Sequence, residues 1–169
     1  LFIGLISLHA EPKSMRPNIL WIVVEDQSKH YGFNGEKLVQ TPILDGLAKN
    51  GVRFTNASVT APVCSTARSA LITGMFQTSI GAHHHRSGRG EVKIQKPDHV
   101  KLIPEFFKEA GYYTCLGGSV HGAGIASPKH NLRFGKSDYN FEWDTKVFDA
   151  PEWSGRKKDQ PFFAKICLS

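Results

Sequence analysis

The sequence predicts an α/β fold with a mostly parallel sheet sandwiched by helices. Continuous apolar runs of strand length, rich in β-branched residues, are typical of strands buried on both faces of such a sheet. The segments between these runs carry the signals that begin and end helices. The two kinds of segment alternate along the 169 residues, and this alternation favours parallel strands joined by helical connections.

Four segments are predicted as strands. The first, NILWIVV at 18–24, is apolar throughout and is followed by two carboxylates, Glu25 and Asp26. The other three are VRFTNASV at 52–59, which alternates like a half-buried strand, YYTCL at 112–116, and QPFFAKICLS at 160–169. Because the last segment closes the chain, the sheet is expected to end on an unpaired apolar edge at Phe162–Leu168, which would invite aggregation.

Three segments are predicted as helices. In TPILDGLAKNG, Thr41 suits the N-cap, Pro42 the first helical position and Gly51 the stop. A second helix is expected to begin with Ser65 as its cap and to stop at Gly74. The third predicted helix is IPEFFKEAG at 103–111. Two segments, 117–134 and 148–160, are predicted as loops.

The net charge is +6, but its distribution does not favour nucleic acid as a partner. The basic residues are scattered, and the sequence has neither zinc-finger spacing nor an aromatic–basic stripe. An anionic small substrate or a polysaccharide fits the charge, and so does a basic solvated surface with no charged partner.

The first ten residues, LFIGLISLHA, are predicted to be the tail of a secretory signal peptide, with Ala10 at the cleavage point. This segment is too short to span a bilayer stably, and a buried strand is the alternative interpretation. A signal peptide predicts a secreted or periplasmic protein. Residues 16–169 are then expected to be the N-terminal part of one domain, truncated within its last apolar strand.

The three cysteines differ in their surroundings. Cys115 and Cys167 lie in apolar strand-like runs and are predicted to be free buried thiols. Cys64 lies where a helix begins, with Arg68 one turn further on, and both the helix dipole and the guanidinium would favour a thiolate there. A plain thiol hydrolase is weakly supported, because a phosphatase loop needs five residues between Cys and Arg and no histidine is singled out as a base.

The segment from Cys64 through Arg68 to the helix end LITG resembles the signature of the sulfatase family. Three surrounding stretches resemble the same family: RPNILWIVVEDQ, TPILDGLAKNGVRFTNASV and GMFQTSIGAHHHR. Together they cover about residues 16–141. The resemblance implies an alkaline-phosphatase-like α/β fold, incomplete in this chain, and hydrolysis of sulfate esters. For an exported protein, sulfated carbohydrates are the expected substrates.

The resemblance also implies the roles of the residues. A formylglycine-generating enzyme would oxidise Cys64 to the aldehyde formylglycine, whose hydrate attacks sulfur, and Arg68 would hold that hydrate. Ca²⁺ or Mg²⁺ would be bound by Glu25, Asp26 and residue 64, because hard cations prefer oxygen ligands. Glu25 stands where the family usually has Asp, so Asp26 is expected to be the stronger ligand.

Two further positions depart from the family pattern. Thr66 stands where the modifying enzyme reads Pro or Ala. The family's Gly-Lys-x-His element, in which Lys binds sulfate and His lies near the leaving group, has two partial matches. GSVH at 118–121 supplies His121, whereas GKSD at 135–138 supplies Lys136, which is preferred for sulfate. The histidines at 83–85 cannot all face one ion and do not predict zinc; one of them is expected to line the substrate pocket.

Two other functions remain open at this point. A phosphonate or phosphodiester hydrolase of the same superfamily would use the same aldehyde. An inactive, truncated sulfatase would at most bind sulfated glycans. The chain as given is itself expected to be inactive, since the family's other metal ligands and its later Lys and His have no counterpart in it.

Overall fold

The computed structural model describes residues 16–87, 90–118 and 134–168. It contains three strands and three α-helices in the order β1 (Ile19–Val24), α1 (Pro42–Asn50), α2 (Cys64–Thr73), α3 (Ile103–Glu109), β2 (Tyr113–Gly118) and β3 (Phe162–Leu168). Two short 3₁₀ turns lie at Gly32–Asn34 and Thr145–Val147. Within the described residues, no helix has the length and apolar character that crossing a membrane requires.

The three strands form one parallel sheet in the order β1-β3-β2. The expectation that Phe162–Leu168 forms an unpaired edge is therefore wrong, because β3 is the central strand and pairs on both sides. Lys165, in the middle of β3, lies opposite Trp21 of β1 and Leu116 of β2. As a central strand, β3 is buried on both faces over most of its length.

Helices α2 and α3 pack on one face of this sheet. Phe107 of α3 stacks on Phe163 of β3, with ring centroids 4.5 Å apart. Buried residues from helices, strands and the 134–148 segment form one cluster, whose members include Ile72, Leu102, Leu116, Phe141, Phe163 and Cys167. Packing on this face fixes the start of α2 against the sheet.

Most predicted elements are confirmed, and one is wrong. The helices at 42–50 and 103–109, the strands at 19–24 and 113–118 and the loop at 148–160 agree with expectation, as do the free buried thiols of Cys115 and Cys167. Residues 52–59 form no strand, and Phe54 there is 82% exposed. An alternating pattern makes a strand only when a neighbour accepts its backbone hydrogen bonds, and no described segment does so.

The second helix begins earlier than expected. Its first residue is Cys64, and its N-cap is Val63, which has an extended backbone and no capping side chain. Ser65 therefore lies inside the helix instead of capping it. Gly74 ends the helix in the left-handed conformation, with φ at 66°, as its position predicts. Most of the predicted loop at 117–134 lies outside the described residues.

Lys165 is a fully buried cation at the centre of the sheet. Its ammonium donates a hydrogen bond to the Tyr139 hydroxyl at 3.1 Å and lies over the rings of Trp21 and Tyr139. In the described part of the chain, no carboxylate forms an ion pair with it. Burial, reinforced by the charge of Arg68, lowers the pKa of Lys165 to about 8, although Cys167 opposes the shift.

We expect the stability difference between the wild-type chain and Lys165→Met to depend on pH. Unfolded lysine keeps its proton up to its ordinary pKa of 10.5, whereas folded Lys165 loses it near pH 8. Between these values the unfolded state binds more protons, so the free energy of unfolding of the wild type rises with pH relative to the variant. The total rise is roughly 3 kcal/mol.

Urea denaturation of both proteins at intervals from pH 7 to 10.5 measures this difference. Lys165→Met is expected to be the more stable protein at pH 7, because methionine fills the site without a buried charge. Stability curves that run parallel across this range would contradict the prediction.

Candidate active site

Three ligand-type side chains meet where β1 ends and α2 begins. Atoms of Glu25, Cys64 and Asp138 all lie within 4.8 Å of one another, and all three residues are half-buried. Glu25 follows β1 directly, and its backbone N–H donates to the carbonyl of Leu168 at the end of β3. Parallel strands place their carboxyl ends at one edge of a sheet, and the start of α2 reaches the same edge.

Asp138 is a member of this group that the sequence did not single out as a site residue. It occupies the position where the family element has histidine, at the end of GKSD. Its backbone is left-handed, with φ at 50°, which is uncommon for a residue with a side chain. The alignment with the Gly-Lys-x-His element was the signal that could have identified it.

Lys136 lies within the same group. Its ammonium pairs with the Glu25 carboxylate and, at 3.3 Å, with Asp138. Burial by itself would lower the pKa of Lys136, but the hydrogen bond to Glu25 and the charge of Asp138 outweigh it, so this pKa lies above its ordinary value. The ammonium therefore stays charged at neutral pH.

Gly135 brings Lys136 to the site. Its N–H donates to the carbonyl of Leu116 at 2.8 Å, so the chain runs along the free edge of β2 there. A Cβ at Gly135 would lie 2.1 Å from the carbonyl oxygen of Gly117, and only glycine allows this close approach. The contact explains why a glycine precedes the lysine.

Arg68 lies one turn after Cys64 and is only 3% exposed. Its Nη1 donates to the sulfur of Cys167 at 3.0 Å, which joins α2 to the central strand. Among the described residues, no carboxylate pairs with this guanidinium. Arg68 and Lys165 therefore place two buried positive charges between α2 and the sheet, which favours an anion at the start of the helix.

Not all sequence-predicted site residues meet at this point. Asp26 is exposed, with φ at 51°, and is not among the residues that group with Cys64 in the described part of the chain. His121 and the rest of GSVH beyond Gly118 lie outside the described residues. The structure thus brings Glu25, Cys64 and Lys136 together and places Arg68 one helical turn away.

The loop that carries the histidines at 83–85 is hydrogen-bonded to the start of α2. Ser65 shares a hydrogen bond of 2.9 Å with Nδ1 of His85, and its hydroxyl oxygen accepts from the backbone N–H of Arg86. The side-chain amide of Asn140 donates to the carbonyls of Ala82 and His84. These bonds fix the loop beside Cys64.

Comparisons with known proteins agree with this geometry. A family model described as Sulfatase matches residues 17–168. An ulvan-active sulfatase of Formosa agariphila is 35% identical over 160 residues, covering 88% of this chain and 24% of that protein. The crystal structure of Ps i-CgsB is 32% identical, with a TM-score of 0.57 over 79% of this chain and 27% of that one.

A more distant structure supports the fold alone. BT4656, solved with D-glucosamine-2-N,6-O-disulfate, is 22% identical and has a TM-score of 0.63 over 90% of this chain and 34% of that one. The chain spans about a quarter to a third of the length of these relatives. Its parallel sheet with helices is an incomplete form of their alkaline-phosphatase-like α/β fold. The family model, which matches nearly the whole chain, shows that the chain belongs to the sulfatase family.

Proposed function

We propose that this chain is the N-terminal part of an enzyme that hydrolyses sulfate esters of carbohydrates. The observation that carries the proposal is the position of Cys64, which opens a buried helix and lies within 4.8 Å of two carboxylates, with the Lys136 ammonium between them. The name of the ulvan-active relative supports a sulfated carbohydrate as substrate. The apolar segment at 1–10 supports a secreted or periplasmic location.

The donor set fits a divalent cation. Glu25 and Asp138 offer hard carboxylate oxygens of the kind that Ca²⁺ and Mg²⁺ prefer, and an ammonium lies between them. The thiol of Cys64 is a poor ligand for these ions, whereas an oxygen at residue 64 would suit them. We therefore propose Glu25 and an oxidised residue 64 as ligands, with Asp138 as a further carboxylate at the site. Asp26 is proposed as a ligand on the family resemblance alone, because it lies outside this group.

The cofactors would supply chemistry that the unmodified side chains lack: the formylglycine derived from Cys64 supplies a nucleophilic hydroxyl, and the cation supplies positive charge. The chain itself binds the anion. The first turn of α2 has no capping side chain, so its backbone N–H groups are available to sulfate oxygens. Arg68 adds buried positive charge, Lys136 is proposed to bind a sulfate oxygen, and His121 is proposed to act near the leaving oxygen.

The activity test compares substrates and variants of the complete enzyme to which this chain is proposed to belong, expressed with a formylglycine-generating enzyme. We expect hydrolysis of 4-nitrophenyl sulfate to exceed that of bis(4-nitrophenyl) phosphate. Lys136→Met should lose ~10²–10³ in kcat/KM, because it removes a charge aimed at the developing negative charge. Lys146→Met removes an exposed lysine outside the site and serves as the control.

The outcomes separate the candidate functions. Faster turnover of the phosphate diester would favour the phosphodiester hydrolase. Binding of a sulfated glycan without turnover of either ester would favour an inactive sulfatase.

The second prediction concerns the modification of Cys64. Peptide mass spectrometry after co-expression should detect formylglycine, and Thr66→Pro should raise the converted fraction. Proline is structurally tolerable at this position, because the first intrahelical bond runs from the N–H of Ala67 to Val63, one residue later. Thr66→Ala also restores a residue the family uses and is the matched control. A Cys64 peptide that stays a fully alkylatable thiol in all three proteins would refute the aldehyde mechanism.

The third prediction ranks the metal ligands. Side-chain length favours Asp26 over Glu25 as the stronger metal ligand. In the structure, however, Glu25 lies in the group with Cys64, and Asp26 is exposed. We therefore expect Glu25→Gln to weaken Ca²⁺ binding on the order of tenfold more than Asp26→Asn does, because affinity follows the charge of the ligands that reach the ion. Calorimetric titration of the two variants of the complete enzyme with Ca²⁺ compares them. A larger loss of Ca²⁺ affinity for Asp26→Asn than for Glu25→Gln would contradict this prediction and support Asp26 as the stronger ligand.

A further inference from the structure

A cleft of about 300 Å³ adjoins the candidate active site. It begins at Ser65 and Asp138, which lie next to and within the Glu25–Cys64–Asp138 group, and extends to Trp143. Its volume is at the lower end of the range for small-molecule sites and suits a single sugar ring. Any substrate whose sulfate reaches residue 64 would place its sugar near this cleft.

Arg86, which lines the cleft, has a constrained backbone. Its φ is 60°, a left-handed conformation that costs free energy for a residue with a Cβ. The N–H of Arg86 donates to the hydroxyl of Ser65 at 3.0 Å, and Ser65 also bonds to His85. Because Ser65 directly follows Cys64, Arg86 is held at a fixed position relative to the start of α2.

The side chain of Arg86 is exposed and has no ion-pair partner in the described part of the chain. Lys93 brings a second positive charge to the same cleft. Two carboxylates also line the cleft: Asp138 pairs with Lys136 at 3.3 Å, and Glu142 accepts a hydrogen bond from the side-chain amide of Gln95. Within the described part of the chain neither carboxylate forms an ion pair with Arg86, so its guanidinium is available to an anion in the cleft.

Trp143 forms an aromatic wall of the cleft. Its indole is half-buried and makes edge contacts with Tyr139 and Phe148, with centroids 5.1 and 6.0 Å away. These contacts hold the ring in place while part of it stays accessible. A fixed, partly exposed indole next to a cation is a surface on which a charged sugar can rest.

We propose that this cleft is the subsite for an anionic sugar, with Arg86 as the specificity-determining residue. The inference rests on the proposed sulfatase function and adds the substrate class: a sulfated saccharide carrying a second anionic group beside the scissile sulfate. The guanidinium binds that group through paired hydrogen bonds, and the sugar ring lies against Trp143. A carboxylate and a second sulfate share this chemistry, since both offer two coplanar oxygens to a guanidinium.

The test uses the complete enzyme to which this chain is proposed to belong and three disaccharides with the same scissile sulfate. One is otherwise neutral, one carries a uronic acid carboxylate and one carries a second sulfate. Arg86→Asn removes the guanidinium while keeping a residue that tolerates the left-handed backbone. Lys157→Gln removes one positive charge from an exposed loop outside the cleft and controls for net charge.

We expect Arg86→Asn to reduce the kcat/KM preference for an anionic over the neutral disaccharide at least about tenfold, as loss of a charged hydrogen-bonded pair does. The anionic disaccharide that loses its advantage identifies the group that Arg86 binds. Calorimetry with the Cys64→Ala chain should show the same loss of preference in binding, without any need for turnover.

A preference that Arg86→Asn leaves unchanged, or a wild type that shows none, would overturn the subsite. Absence of turnover on all three disaccharides would instead count against the proposed function. In that event the binding preference measured by calorimetry still decides whether the cleft recognises an anionic sugar.

Discussion

The pairing of β3 with both of its neighbours is the constraint on which the candidate site depends. It sets β1 and β2 at a fixed spacing and brings the ends of all three strands to one edge of the sheet. The N–H of Glu25 bonds to Leu168 there, and the guanidinium of Arg68 reaches back to Cys167 on the same strand. The Glu25 carboxylate, the start of α2 and the buried Arg68 are thus all positioned by contacts with β3 or its neighbours.

The buried cations Lys165 and Arg68 oppose the stability of the fold. Lys165 and Arg68 are both almost fully buried, and neither has an ion-pair partner among the described residues. Removing such charges from water is costly, and the lowered pKa of Lys165 expresses that cost. Their field points to an anion at the start of α2. A sulfate ester bound there would meet positive charge that is already in position and requires no rearrangement.

The sequence was sufficient for the local parts of this structure. Apolar runs and helix signals located β1, α1 and α3, and the pattern around Cys64 predicted that Glu25 lies near it, as it does in the structure. Strand order was not predictable, because β3 follows β2 in the chain but lies between β1 and β2 in space. The sequence also did not predict the place of Asp138 in the site or the hydrogen bond from the Arg86 N–H to Ser65. The left-handed backbone of Asp138 and a hydrogen bond between residues 21 positions apart leave no local sequence pattern.

The two partial matches to the Gly-Lys-x-His element, GSVH at 118–121 and GKSD at 135–138, lie at different distances from β2 along the chain. This distance does not decide which of them lies at the candidate site. Residues 119–133 separate β2 from Phe134, yet Gly135 returns to bond with Leu116 of that same strand. The intervening segment therefore lengthens the chain without moving the lysine from the sheet edge. Because only glycine fits against Gly117 at this point, the Gly-Lys pair is held where its ammonium meets Glu25. This packing is the physical ground for the proposal that Lys136, rather than a residue of GSVH, binds sulfate.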